Sequence, residues 1–402
     1  MSVVAPAEHP ESLRASFGNG YAKLFGQQWP VWLGGVLFGM LNVLLFAYER
    51  PWSAADGVRN WGDWIFNSIG VTESTIIAPH LYSTSVLNLG IIGGALAAAL
   101  LARQFQVRMA PPWELLKGLV GGGLMGVGAS LAFGCNIGGF FSAMSALSMA
   151  GMAMMVGLIA GVFVGLKLLV WEVSYISVPG WASRTAASKQ GSSRVWKNIQ
   201  PFAGFGVLIV GLALAFVYDG FDYSTRGGFL LFGIAIGLIM QRTRFCFVRC
   251  FREPFMTGDG DTAKAVALAI IISATGFTIL KWTDLRDWEV FVSSGFWMGS
   301  LFGGFIFGVG MSMSGGCATG SLWRAGEGHV KLWVAVVSFA LSASYFRGWL
   351  ADSGWISRLG EPIFLPDYIG WKMGLLTVIG IMCLWYLLAT WNEVKRTFVV
   401  NI

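Results

Sequence analysis

Two cysteines occupy the same glycine frame far apart in the chain: Gly134-Cys135-Asn136-Ile137-Gly138 and Gly316-Cys317-Ala318-Thr319-Gly320. A third, Cys246, lies in the stretch Gln241-Arg242-Thr243-Arg244-Phe245-Cys246, one helical turn before Cys250. Glycines around a cysteine let the backbone turn sharply. If a helix starts there, its free N–H groups and dipole attract an anion. The plain alternative is a small buried hydrophobe with a weak S–H donor. That reading suits Cys383, in Gly380-Ile-Met-Cys-Leu-Trp, which has no echo elsewhere. His9, His80 and His329 are too scattered for a metal site, and neither CxxC nor a GxxxxGK[ST] phosphate loop occurs. No metal, no cofactor and no catalytic residue is therefore expected, and the protein reads as a non-enzyme.

The elements that must hold these cysteines are apolar. The 402 residues have a mean hydropathy of +0.65, with 55% hydrophobic and only 12% charged residues, values that point to a polytopic membrane protein. Several apolar stretches reach the ~20 residues a helix needs to cross a bilayer, and membrane segments are read at about 29–47, 85–102, 118–134, 151–171, 201–218, 227–241, 262–280, 295–314, 331–349 and 369–391. The fold expected is all-α, with nine or ten transmembrane helices plus short re-entrant half-helices. The polar start carries no apolar core of a secretory signal. The Trp-rich residues 48–84 read as a loop against headgroups. If the N-terminus is cytoplasmic, the inner connections hold eighteen Lys and Arg against six outside, so both termini are expected in the cytoplasm. The net charge of +6 is spread over these loops, and no nucleic-acid partner is expected.

The cysteine frames belong to a longer repeat. With the chain shifted by 182, Gly121–Gly138 and Gly303–Gly320 match at nine of eighteen positions, cysteine included. An odd number of crossings separates the copies, so the second enters from the opposite face, the inverted plan common in secondary transporters. Upstream the echo is weaker: Gly35 and Gly39 match Gly233 and Gly237, and Cys246 falls opposite Ala47 or Tyr48. The division implied is an N-terminal segment 1–28, a first half 29–171, a basic linker 172–200, a linking helix 201–218, a second half 219–349, and a final portion 350–402.

About sixteen residues, roughly 24 Å of helix, precede Cys135 in its segment, less than the ~30 Å apolar core. Cys135 and Cys317 are thus expected within the membrane at the starts of short helices. Gly134, Asn136 and Gly138, and Gly316, Ala318 and Gly320, would form those starts, with Cys250 secondary. Gly118, Gly122 and Gly126, and Gly295, Gly299 and Gly303, fall at the spacing of close helix packing. Arg242, Arg244 and Arg324 are either anchors reaching for headgroups or a cationic vestibule for an anion.

These three motifs, Gly128–Phe140, Gln241–Gly258 and Gly308–His329, together resemble the YeeE/YedE family of sulfur-transport membrane proteins, over about residues 30–390. In length and in its long 48–84 connection the chain is more similar to the YedE branch, associated with selenium, than to the shorter thiosulfate transporters. The resemblance implies an hourglass-like fold and uptake of thiosulfate, or a related sulfur or selenium anion, across the bacterial inner membrane. It carries a cysteine-lined path onto Cys135, Cys246 and Cys317, and it implies a soluble sulfur-carrier partner. Thiosulfate members also carry a cysteine in the first short helix, where this chain has none. A soft, protonated thiol can donate to a terminal sulfur, whereas a thiolate would repel the anion. A membrane persulfide relay and an accessory subunit without its own path are the competing readings.

Overall fold

The computed structural model describes residues 20–71, 76–175, 194–292 and 297–399, and among them every named element is helical. The helices are α1 (Val31–Tyr48), α2 (Ala54–Ser68), α3 (Ser83–Leu101), α4 (Pro112–Leu131), α5 (Asn136–Ser145), α6 (Met149–Tyr175), α7 (Arg194–Gly220), α8 (Ser224–Thr243), α9 (Phe247–Met256), α10 (Asp261–Trp282), α11 (Met298–Ser314), α12 (Ala318–Gly326), α13 (Val330–Asp352) and α14 (Leu365–Lys395). Nine spans among the described residues are long and apolar enough to cross a membrane, or ten when α4 and α5, bent by 44° at their break, count as one. Each of the ten expected stretches falls on one of them. The protein is an all-α, multi-pass membrane protein.

The Trp-rich connection differs from expectation. Rather than a loop, it contains α2, whose N-terminal residues Ala54, Ala55, Gly57 and Val58 are buried. Its charges disguised it: Asp56, Arg59 and Asp63 interrupt the apolar pattern, yet they line one face of a helix that packs on α3 and α13. Residues 176–193 of the expected linker and Gly295 lie outside the described residues.

Small residues set the packing. A side chain on Gly35 of α1 would run into the Ala265 carbonyl of α10, and one on Gly233 of α8 into the Leu87 carbonyl of α3. Gly39 faces Ala269, and Gly237 faces Ile91, in the same two pairs of helices. At the centre α4 crosses α11. A Cβ on Gly121 would stand 2.6 Å from the Gly310 carbonyl, and one on Gly303 2.6 Å from the Gly128 carbonyl. Gly122 abuts Ala335 of α13, as Gly304 abuts Met154 of α6. These contacts come in matching sets: α1 on α10 and α8 on α3, α4 on α13 and α11 on α6. The glycines thus keep backbones close enough for dispersion and Cα–H contacts to hold helices together where no hydrophobic drive exists between them.

Candidate substrate path

Four short helices start deep in the protein, and the residue at each start is the candidate chemistry. Cys135 caps α5 and Cys317 caps α12, with nearly equal backbone angles (φ −81°, ψ −173° and φ −81°, ψ 180°). Cys135 Sγ accepts from the Ile137 N–H at 3.4 Å, and Cys317 Sγ from the Gly320 N–H at 3.2 Å. Cys246 caps α9 in an extended conformation (φ −150°, ψ 124°), and Ser53 caps α2 in a similar one (φ −139°, ψ 111°). Neither of these last two side chains bonds its own helix.

The caps meet in pairs. A Cβ on Gly320 would lie 3.1 Å from Cys317 Sγ and 3.2 Å from Cys246 Sγ, so the two thiols border one gap. In the other half a Cβ on Gly138 would lie 2.8 Å from Ser53 Oγ. Both gaps exist because glycine stands there. Cys135, Cys246 and Cys317 are all wholly buried. Ser53 thus stands against Gly138 as Cys246 stands against Gly320. The sequence hid this because Gly39 and Ser53 are 14 residues apart while Gly237 and Cys246 are 9 apart.

The turns before the paired caps are alike in shape but not in residue. Gly315 ends α11 in the left-handed region (φ 76°), its N–H bonded to the Met311 carbonyl at 3.1 Å. In the first half Phe133 takes that place at φ 55°, a conformation that is costly for a residue with a side chain. Its ring lies 4.0 Å beneath the Arg347 guanidinium. Together with Asp56, Arg59, Ser130 and Gly134 these residues line a cavity of about 50 Å³ that ends one residue from Cys135. Sequence reasoning missed this mouth.

Around the caps stand buried polar atoms that have no partner among the described residues: both amide atoms of Asn136, Thr319 Oγ1, Ser321 Oγ and Trp323 Nε1. Leaving such a group unpaired costs about 1–3 kcal/mol each, so a cluster at the two helix starts calls for a cause. Asn136 was singled out from its place in the motif; Thr319, Ser321 and Trp323 were not, although each lies on α12 within seven residues of Cys317.

The remaining expected residues separate. Cys250 is buried one turn along α9 and lines an apolar cavity with Phe255 and Trp385 of α14, apart from the cap pairs. Cys383 is exposed on α14. Arg324 donates to the Gly315 carbonyl at 3.1 Å, closing the end of α11. Arg242 is buried and donates to the Gln27 carbonyl. Arg244 is paired with the buried Glu327 at 2.7 Å and stacks on Trp323. Next to Glu327, His329 is held neutral to about pH 4, chiefly by burial and then by the Arg108 guanidinium at 2.9 Å. Asp259, Asp261 and Glu393 cluster elsewhere, but Lys264 bridges two of them at 2.9 Å and Arg249 approaches the third at 3.6 Å.

Broken spans whose helix starts converge inside a multi-pass membrane protein define a transport-protein architecture. Over residues 2–164 and 242–400 the chain matches the pattern of a family described as sulphur transport, and it belongs to that family. It is 28% identical to the probable transporter YedE of Escherichia coli over 309 residues, 73% of this chain and 75% of that protein. It is also similar to thiosulfate transporters TsuA, at 34% identity for that of Escherichia coli (29% of this chain, 33% of that protein). For the TsuA of Spirochaeta thermophila the identity is 33% (34% of this chain, 42% of that protein).

Proposed function

We propose that this protein carries a small sulfur-containing anion, thiosulfate first, across the bacterial inner membrane along a path lined by Cys135, Cys246 and Cys317. The observation that carries the reading is the set of paired caps: soft thiols and unpartnered N–H and O–H donors at facing helix starts. A divalent oxyanion needs such a substitute for water, because an isolated charge in hydrocarbon costs on the order of tens of kcal/mol. Helix N-termini receive the oxyanion end, and protonated thiols at Cys135 and Cys317 donate to the terminal sulfur. Wells of this kind must stay shallow for the ion to leave. Gly134, Gly138, Gly316, Ala318 and Gly320 keep the backbone close to that line.

In this reading the halves α1–α6 and α8–α13 form an inverted repeat, α7 links them, and α14 completes the molecule. The matching of Gly35 and Gly39 with Gly233 and Gly237, and of Gly121 and Gly122 with Gly303 and Gly304, supports that. The excess of Lys and Arg in alternate connections supports both termini in the cytoplasm. Arg347 then marks the outer mouth and Arg244 the inner one, where a soluble sulfur carrier would collect the product. The similarity to YedE over three quarters of that protein keeps a selenium anion such as selenite as the alternative substrate.

Purified protein in liposomes, offered labelled thiosulfate, sulfite, sulfate and selenite in parallel, tests the proposal. Saturable thiosulfate uptake that drops in the Cys135→Ala/Cys317→Ala variant is expected. Equal uptake by that double variant at equal protein content refutes the path. The gap that Cys246 and Cys317 share favours one second reading, a persulfide relay: a thiol takes the outer sulfur of thiosulfate, its S–S bond breaks and sulfite leaves, which predicts a mass increase of one sulfur on a cysteine after substrate exposure.

A further inference from the structure

A cavity reaches Gly134 beside Arg347; beside Arg244, at the other end of the proposed path, a carboxylate is buried. Glu327 sits at the C-cap of α12, the helix that Cys317 starts, and its side chain is 1% exposed. One oxygen lies 2.7 Å from Arg244 Nη1 and accepts from Gln241 Nε2 at 3.0 Å; the other accepts from Arg244 Nη1 at 2.9 Å. Arg244 Nη2 donates to Gln104 Oε1 at 3.1 Å, and Gln241 reaches the same oxygen at 3.2 Å. His329 Nε2 stands 3.7 Å behind Glu327. The network therefore ties α8, the connection after α3, and the end of α12 together, two residues from Cys246 along the chain and one length of α12, about 15 Å, from Cys317.

We infer that Glu327 is a tethered anion that closes this mouth by occupying the guanidinium a travelling anion must meet next. The inference rests on the transport reading for its substrate and names the residue that sets release. The argument is one of replacement. Arg244 is two residues from Cys246 and lies over Trp323, whose indole N–H is buried without a partner among the described residues. An anion leaving the Cys246–Cys317 gap along α12 passes Trp323, over whose ring stand two guanidiniums, Arg324 at 5.2 Å and Arg244 at 5.7 Å; Arg324 is turned to the Gly315 carbonyl, and Arg244 is the one held by a carboxylate. There the planar guanidinium suits an oxyanion as well as it suits a carboxylate. Substrate and Glu327 compete for one cation, so the arriving anion releases the carboxylate and the mouth opens only when loaded. A buried pair of this kind is weak evidence for stability but a recognised way of specifying one of two states.

The test is the rate at which a membrane-impermeant thiol reagent, applied to the Arg244 face in oriented vesicles, modifies Cys246 and Cys317. It is read by peptide mass in full-length protein carrying Cys383→Ser. Glu327→Gln keeps the volume and removes the charge. It should raise the rate about tenfold or more, which corresponds to weakening closure by only about 1.4 kcal/mol. The charge-swapped Arg244→Glu/Glu327→Arg protein should return it toward that of the parent. If Glu327→Gln is not recovered from membranes, Gln104→Ala and Gln241→Ala serve instead, each expected to give a smaller rise. Unchanged labelling in the recovered variants overturns the inference. Thiosulfate flux in liposomes is a separate readout, so a protein that moves no sulfur anion is distinguished from one whose mouth is closed by something else.

Discussion

A cysteine is an odd choice for a helix cap. Serine, threonine, aspartate and asparagine accept well from the first N–H groups, whereas sulfur accepts weakly. If capping were the whole role of Cys317, serine would serve better. Cys317→Ser should therefore leave thermal stability in detergent equal or higher, by up to about 1 kcal/mol, while thiosulfate uptake falls roughly tenfold or more, the scale of one lost specific contact of about 1.4 kcal/mol. Parallel losses of stability and uptake would make the residue structural. The two Gly-Cys-x-x-Gly frames were legible in the sequence because residue type and spacing repeat together. Ser53 was not, since a longer connection precedes it and its role shows only in three dimensions, against Gly138. Asn136, Thr319 and Ser321 raise a different difficulty: a polar residue near a motif is common, and only the absence of a partner in a buried setting makes it informative.

At the level of the helix, the apolar stretches gave the spans directly, because a bilayer demands length and hydropathy and little else. The amphipathic α2 escaped that criterion. Its inner half is made of small residues and its outer half carries charge, so no window of the sequence resembles a span. Glycine spacing carried finer information than hydropathy. Gly122 meets the Ala335 carbonyl with no room for a side chain, whereas Gly93 and Gly206 have nothing within 4 Å of where a Cβ would stand. Gly122→Val should cost at least about 1–3 kcal/mol through overpacking and lower the amount of folded protein in membranes. Gly93→Ala and Gly206→Ala should be neutral or stabilising by about 0.4–1 kcal/mol, since alanine restricts the unfolded chain. Thermal unfolding of the three purified variants distinguishes them. Equal behaviour would remove close backbone approach as the reason for the glycine rows.

Across the whole molecule, counting Lys and Arg in alternate connections yields an expected orientation in the membrane. It could not find the second mouth. Arg347 lies inside α13, where a sequence reading sees only the interior of a span, and Asp56 and Arg59 come from the other half of the chain. Folding brings them over Phe133, whose left-handed backbone presents the ring as a platform for the guanidinium. The platform holds Arg347 at the opening, where one charge changes the local concentration of an anion before it is desolvated. Arg347→Gln should therefore raise the KM for thiosulfate uptake by roughly 5–30-fold, the effect of a charge interaction of about 1–2 kcal/mol near a protein surface, and leave the maximal rate near that of the parent. Arg347→Lys keeps the charge and loses the stacked plane, so its KM should lie between the two. Added salt should raise the parent's KM more steeply than the variant's, since the screening length falls from about 10 Å at 0.1 M to about 3 Å at 1 M. A fall in maximal rate at unchanged KM would instead assign Arg347 to the moving parts of the path. A KM indifferent to both charge and salt would take the cavity beside Gly134 out of the route.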